Sequence, residues 1–235
     1  MSIVMLKPSE QFIPKSDLLL VSRHENKEMV RRFAEARFKA AYNADVNDFL
    51  PHMLALLDNQ LAVQASVGYQ SAESHSLYLE HYLDQPIEDA IAARLNIDKP
   101  RRSEILEVGN LASLSPGATR RLILNLACHF QKQGYKWLVI TATSHVKNSF
   151  EKLNIGLDLH KVCKADASAV IDTNSNWGSY YEHNPEVYIG DIDAGINVLK
   201  NNPVIGKLLA RLKTPVSDCA VSITHNSAVK EGTVE

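Results

Sequence analysis

The stretch from residue 103 to 155 constrains the fold more than any other. It reads as a strand (Ser103–Val108), a short Ser/Pro/Gly loop (Ser113–Ala118), a helix (Thr119–Gln133), a strand (Trp137–Thr141) and a helix (Val146–Leu153). The loop ends in Pro116-Gly117-Ala118-Thr119-Arg120 at the predicted helix start. A helix N-terminus leaves backbone N–H groups unpaired and carries partial positive charge, so it can hold an anion such as a pyrophosphate. Glycine at 117 would let the backbone come close to such a group. A strand–loop–helix crossover with one glycine also occurs with no ligand at all, so the loop alone leaves both readings open.

Mixed order around this unit, with strands flanking helices, predicts an α/β fold built on one mostly antiparallel sheet. Asp17–Arg23 reads as a short strand and Glu25–Asn43 as a helix. Met29, Phe33, Ala36 and Ala40 recur at helical spacing and predict its buried stripe, with Arg37 beside it and Arg31 facing away. A charged residue at a buried face calls for a partner or a ligand, unless it snorkels from the edge. Asn43–Pro51 is a polar loop holding Asp45 and Asp48, and Met53–Asp58 and Gln60–Ala72 form a hairpin. Ser76–Leu83 is expected as strand then turn, and Pro86–Asn96 as a helix with proline in its first turn. Leu159–Ala165 and Val187–Asp191 are predicted strands, separated by a Ser/Asn/Trp/Tyr-rich loop at Thr173–Asn184. One domain is expected over residues 17–192, followed at 193–235 by a helical extension interrupted at Pro203 and a flexible tail.

Composition narrows the function. The net charge of −2 gives no electrostatic footprint for nucleic acid. Nine histidines are scattered with no HExxH spacing, so no metal site is expected. Cys128, Cys163 and Cys219 are too few and too dispersed for a disulfide framework, which suits a reducing compartment. The first residues, MSIVMLKPSEQFIP, lack the apolar segment of a secretory signal, and no apolar run is long enough to span a bilayer. The expectation is a cytoplasmic protein.

Several motifs carry a resemblance. The helix–loop run Arg37-Phe38, Tyr42, Asp45 and Asp48, then a hairpin, then Glu107 on a strand leading into the Gly117 loop, is similar in order to the acyl-homoserine-lactone synthases. Those enzymes are an autoinducer-making branch of the GNAT acyltransferase superfamily. A longer match is to the thermostable hemolysin family, the delta hemolysin of vibrios. It rests on Arg37-Phe38, Ala41-Tyr42, Ala44-Asp45-Val46, Phe49-Leu50-Pro51, Pro86-Ile87-Glu88, Glu107-Val108-Gly109-Asn110-Leu111-Ala112, Thr141-Ala142-Thr143 and Trp177-Gly178-Ser179-Tyr180-Tyr181. It spans roughly residues 20–192.

The resemblance implies a GNAT-like sheet and acyl transfer from acyl-CoA or acyl carrier protein to an amine-bearing small molecule. It places the donor's pantetheine along Leu111 and Ala112, its phosphates at Gly117, Ala118, Thr119 and Arg120, and Asn148 beside them. Glu107 becomes the candidate base, because a carboxylate on a half-buried strand has its pKa raised by desolvation. The alternative is a surface glutamate paired with Arg101 or Arg102. Arg37, Tyr42, Asp45, Asp48, Trp177 and Tyr181 are candidates for the acceptor pocket, or for loop fixing and sheet sealing.

Two departures matter. Many GNAT enzymes carry a tyrosine acid on the helix after the second strand, where this chain has Asn148-Ser149-Phe150-Glu151. Solvent, His145 or one of Tyr180 and Tyr181 is therefore the candidate to protonate the leaving thiolate. The Ser-Arg-Phe that follows the lactone synthases' Glu is here Gly109-Asn110-Leu111, which argues against homoserine-lactone synthesis. The other readings are a toxin that lyses red cells, as the family name implies, and a non-catalytic acyl- or CoA-binding protein.

Overall fold

The computed structural model describes residues 18–20, 24–58, 60–151, 158–170 and 174–201. Among the described residues seven strands form one sheet: β1 (Leu18–Leu20), β2 (His52–Leu57), β3 (Val63–Ser71), β4 (Ile105–Ser113), β5 (Trp137–Ala142), β6 (Leu159–Lys164) and β7 (Glu186–Asp191). Their order is β1-β2-β3-β4-β5-β7-β6. Only β4 and β5 run parallel, joined by the crossover helix α3 (Pro116–Lys132); all other neighbours are antiparallel. The other helices are α1 (His24–Tyr42), α2 (Ile87–Leu95), α4 (Ser144–Glu151) and α5 (Ile192–Asn201).

Helix α3 begins earlier than its glycine suggested. Ser115 caps it, accepting the Ala118 N–H at 3.2 Å, and Pro116 occupies the first turn, where a missing N–H costs nothing. Its buried side carries Leu122, Ile123, Leu126 and Phe130 against Leu54, Val67, Leu106 and Ile140 of the sheet. Ile192, Ile196 and Leu199 of α5 join the same core. Residues 202–235 lie outside the described set, and with them Pro203, Cys219 and the expected tail.

The opposite face is covered by α1 near β2–β4 and by α2 near β5 and β7. The predicted phase of α1 is off by one residue. Val30, Ala34 and Phe38 form the buried stripe, while Ala36 and Ala40 are exposed. Arg31 does not face away: its Nε is shielded and its guanidinium lies 5.5 Å from the Phe49 ring centre. Asn43 ends the helix in the left-handed conformation, its N–H bonded to the Lys39 carbonyl.

The segment Ser76–Leu83 is not a strand. It forms a 3₁₀ turn at Tyr78–Tyr82, capped by Glu80, whose carboxylate accepts the Leu77 N–H at 2.6 Å. Arg102 binds the same carboxylate at 2.9 Å, pairs with Glu88 of α2, and donates to the Ala72 and His75 carbonyls. One guanidinium thus ties the turn, α2 and the end of β3 to the foot of β4.

Candidate active site

The pairing of β4 with β5 runs from Ile105–Trp137 to Val108–Ile140 and then stops. Beyond it β4 stays with β3 as far as Ser113, and β5 stays with β7 as far as Ala142. The two strands therefore part. A bulge against β3 lies where β4 leaves β5. Between the pairs Gly68–Gly109 and Ser66–Ala112, β4 holds one more residue than β3, and Asn110 takes a positive φ of 49°. The Asn110 side chain leaves the strand to accept the Leu50 N–H at 3.0 Å and to donate to the Asp48 carbonyl at 3.1 Å. Gly68 makes room for it: a Cβ there would lie 2.8 Å from the Asn110 oxygen.

A cavity of about 440 Å³ occupies the opening. It is walled by β4 and β5 at the back, by α1 and the loop through Asp48–Pro51 on one side, and by the turn Ser76–Tyr82 on another. The segment 174–184 closes it with Trp177, Tyr180 and Tyr181. That segment is strapped to the end of α1. Asp45 and Asn176 exchange backbone hydrogen bonds at 2.6 and 2.9 Å, and the Ser175 hydroxyl accepts the Asn47 and Asp48 N–H groups. The Ser179 N–H meets the Tyr42 carbonyl at 2.8 Å. Gly178 has a φ of +52°, and a Cβ there would lie 2.1 Å from the Tyr42 carbonyl oxygen. Only glycine fits that approach.

Glu107 lies on the cavity wall and is 4% exposed. Neither Arg101 nor Arg102 pairs with it: Arg101 bonds Glu104, and Arg102 bonds Glu80 and Glu88. Its carboxylate instead accepts the Tyr78 and Leu79 N–H groups of the 3₁₀ turn, at 2.7 and 3.1 Å. Burial raises its pKa, the two N–H groups pull it back in part, and the Glu80 charge adds to the rise. The carboxyl is pushed up to about 7. Glu80 goes the other way. Burial works against its charge, but the Arg102 guanidinium and the Ile87 and Leu77 N–H groups hold it below the usual carboxylate range.

Ten of the sixteen residues picked from sequence line this cavity: Arg37, Tyr42, Asp48, Glu107, Leu111, Ala112, Thr119, Trp177, Tyr180 and Tyr181. Asp45 does not. Its carboxylate is 60% exposed and paired with Lys39 at 2.9 Å, six residues back, so it faces away from any acceptor. Thr119 is turned inward, its hydroxyl bonded to Ser113 at 2.6 Å and to the Ser115 carbonyl at 3.2 Å. Ala118 is buried as well, and its N–H belongs to the Ser115 cap. Gly117 and Arg120 are exposed on the first turns of α3. With proline first and Ser115 already engaged, this turn offers fewer open donors than a glycine-rich loop. Asn148 is exposed on α4, and the side chain of His145 lies outside the described residues.

Tyr180 lies beside β5, its hydroxyl 3.5 Å from the Thr141 carbonyl. Burial first, then the neighbouring phenols Tyr42, Tyr181 and Tyr78, push its pKa far above the ordinary phenol value. A phenol so held stays neutral and donates a hydrogen bond, but is a weak source of protons. Tyr181 shares a 2.7 Å hydrogen bond with Tyr82.

Sequence reasoning missed the Tyr78 and Leu79 amides, because their segment looked like a strand. It also missed Thr143, which is 2% exposed, lines the cavity and has a hydroxyl with no partner. Its place after an apolar strand was the available signal. Behind Val108 and Leu111 a second cavity of about 40 Å³ runs between β4 and helices α3, α4 and α5, lined almost wholly by apolar atoms such as those of Phe130, Phe150 and Leu199. Among the described residues no group of His, Cys, Asp and Glu side chains could hold a metal, and no helix is long and apolar enough to cross a membrane.

Solved structures share this architecture. FeeM, an N-acyl amino acid synthase from uncultured soil microbes, superposes with a TM-score of 0.57 at 11% identity, covering 78% of this chain and 94% of that one. BjaI, a CoA-dependent acyl-homoserine lactone synthase solved with SAM and isopentyl-CoA, gives a TM-score of 0.53 at 12% identity, covering 81% and 90%. At such identities the likeness establishes the GNAT-like acyltransferase fold alone. No curated protein matches the chain. The sequence model of the thermostable hemolysin family matches residues 20–196, so the chain, with its parted strands and buried Glu107, belongs to the thermostable hemolysin family.

Proposed function

We propose that this protein is an N-acyltransferase that moves an acyl group from a thioester donor, acyl-CoA or acyl carrier protein, to the amine of a small molecule. The observation that carries the reading is Glu107: a carboxyl pushed up to about 7 chiefly by burial, accepting two amide N–H groups and paired with no cation among the described residues, on the wall of a cavity between parting strands. A base poised near neutral pH is what amine activation requires. Glu107 takes the proton from the incoming ammonium. The freed amine forms its bond to the thioester carbonyl carbon, the C–S bond breaks, and the nitrogen sheds its second proton to solvent as the departing thiolate takes one up. The neutral hydroxyls of Tyr180 and Thr143 are the candidate donors to the developing oxyanion, with the thiolate protonated by solvent or by His145.

The residues present fit a pantetheine-bearing donor in part. Where β4 leaves β5, Leu111 and Ala112 border the cavity along a strand edge that an amide-bearing arm can follow. The small apolar cavity beyond Leu111 suits the distal part of an acyl chain longer than acetyl. Gly117 and Arg120 remain the candidates for the phosphates, on the exposed first turns of α3. In this reading lysis of red cells, which the family name describes, is the work of an acylated product rather than of the protein inserting into a bilayer.

The test is thiol release by purified protein from decanoyl-CoA and from decanoyl-carrier protein, with and without a mixture of amines. Amine-dependent release is expected from at least one donor. Release from neither donor with any amine, together with rapid dye leakage from pure lipid vesicles, would establish the toxin reading instead.

A further inference from the structure

We infer that the acyl acceptor is an α-amino acid bound as a zwitterion, its carboxylate held by Arg37 with the indole N–H of Trp177 and its amine presented to Glu107. The inference rests on the transfer reading above and names the substrate class of that site. It starts from charges the fold leaves unanswered.

Arg37 projects from α1, which lies across β4, into the same cavity that Glu107 lines. It is half-buried, its Nε is shielded from solvent with no hydrogen-bond partner, and it forms no ion pair among the described residues. Asp45, the nearby acidic candidate of the same loop, pairs with Lys39 instead. A guanidinium drawn into an aromatic-walled cavity without a counter-ion is unfavourable unless an anion arrives. The indole Nε1 of Trp177 is a second buried donor with no partner among the described residues, and its ring meets that of Phe38 on α1 at 6.1 Å. Both residues line the same cavity, and a charged planar donor with a second N–H donor is the chemistry that recognises a carboxylate.

Glu107 supplies the complement. Its carboxyl holds two N–H groups but no cation, and so has no charged partner until an ammonium enters. Asp48, the other carboxylate on this wall, is already engaged, so among the described residues the cavity presents one cation and one acid without a charged partner, the mirror of an amino-acid zwitterion. Simple amines would leave Arg37 unanswered, and simple carboxylic acids would leave Glu107 unanswered. A phosphate of the donor is the other anion at hand. Gly117 and Arg120, the candidates for that role, do not line this cavity.

The test separates binding from turnover. The twenty proteinogenic L-amino acids and their primary amides are titrated by calorimetry into wild type, Arg37→Met, Arg37→Lys and Trp177→Phe, with and without coenzyme A. At least one amino acid is expected to bind wild type, with its amide roughly 30-fold weaker, the scale of a lost charge-assisted contact. Arg37→Met should bring that acid down to the level of its amide and leave the amide and coenzyme A unaffected. Arg37→Lys should recover part of the loss, and Trp177→Phe should cost the acid a smaller factor. An amide that binds as well as its acid, no amino acid bound at all, or Arg37→Met weakening coenzyme A instead, would overturn the inference. Amine-dependent thiol release from the same panel then judges the reading beneath it. Turnover indifferent to the carboxylate sinks the amino-acid assignment and spares the transferase. Carboxylate-dependent binding with no turnover keeps the Arg37 site and sinks the transferase.

Discussion

Replacing Glu107 by glutamine should change the pH dependence of stability in a way that can be worked out from its surroundings. In the folded protein the carboxyl is raised to about 7 from an ordinary 4.5, chiefly by burial. Below pH 4.5 it is protonated whether the chain is folded or not, and its full contribution is present. Between pH 4.5 and 7 the unfolded chain gives up this proton while the folded carboxyl keeps it, so stability falls across that window and the loss is complete once the folded group ionises above about 7. A rise of this size corresponds to about 3 kcal/mol. Glutamine does not titrate, so the variant escapes that loss. It has a cost of its own, because its NH₂ cannot accept, and one of the Tyr78 and Leu79 N–H groups then goes unmatched, at about 1–3 kcal/mol. Glu107→Gln should thus be the less stable protein near pH 5 and equal or exceed wild type near pH 9, the gap moving by about 3 kcal/mol. Urea unfolding of both proteins at pH intervals measures this. A gap that stays constant from pH 5 to 9, or moves the other way, would refute the account of the buried carboxyl. In turnover, the wild-type rate should climb through about pH 7 and the variant should lose roughly 100-fold.

Gly178→Ala places a Cβ against the Tyr42 carbonyl at a positive φ, and should cost about 3 kcal/mol and alter Trp177 fluorescence as the strap detaches. Gly134→Ala is the control: its φ is also positive, but nothing lies within 4 Å, so only about 1 kcal/mol is expected in the same thermal melts. Gly117→Ala meets only the Ser115 hydroxyl at 3.8 Å and should leave stability unchanged or raise it by up to about 1 kcal/mol, whereas Gly117→Trp should fold but bind coenzyme A more weakly in calorimetry. Unchanged affinity would remove α3 from the donor site. Arg102→Met strips Glu80 and Glu88 of their shared cation and should destabilise by about 2 kcal/mol in urea. That is less than a fully buried pair costs, because the Arg102 side chain is 28% exposed.

The central βαβα unit was legible because its signals are local: strand runs at 105–108, apolar but for Glu107, and at 137–140, with a Ser/Pro/Gly loop and a helical stretch between them; the cap at Ser115 was not, because Gly117 drew the expected helix start on to Thr119. The phase of α1 was not. Phe33, Ala36 and Ala40 look as apolar as Val30, Ala34 and Phe38, and only packing on the sheet chooses between the stripes. The 3₁₀ turn was misread because Leu77 and Leu79 are both buried two residues apart, the spacing of a strand. What bends the segment is distant in sequence: Arg102 on the Glu80 cap and Glu107 on the turn's amides. In the site, Arg37 and Glu107 were legible as residue types, but the pairing of Asp45 with Lys39 and the inward turn of Thr119 depend on side-chain direction, which the sequence does not carry.

The most direct measurement is a single turnover with protein in excess over a medium-chain acyl-CoA and a productive amine, quenched and followed by mass spectrometry of every species. Direct attack assisted by Glu107 predicts one amide formed for each thiol released, with the protein's own mass unchanged throughout. Thiol released without amide, or a protein heavier by one acyl group, would contradict the mechanism built on this cavity.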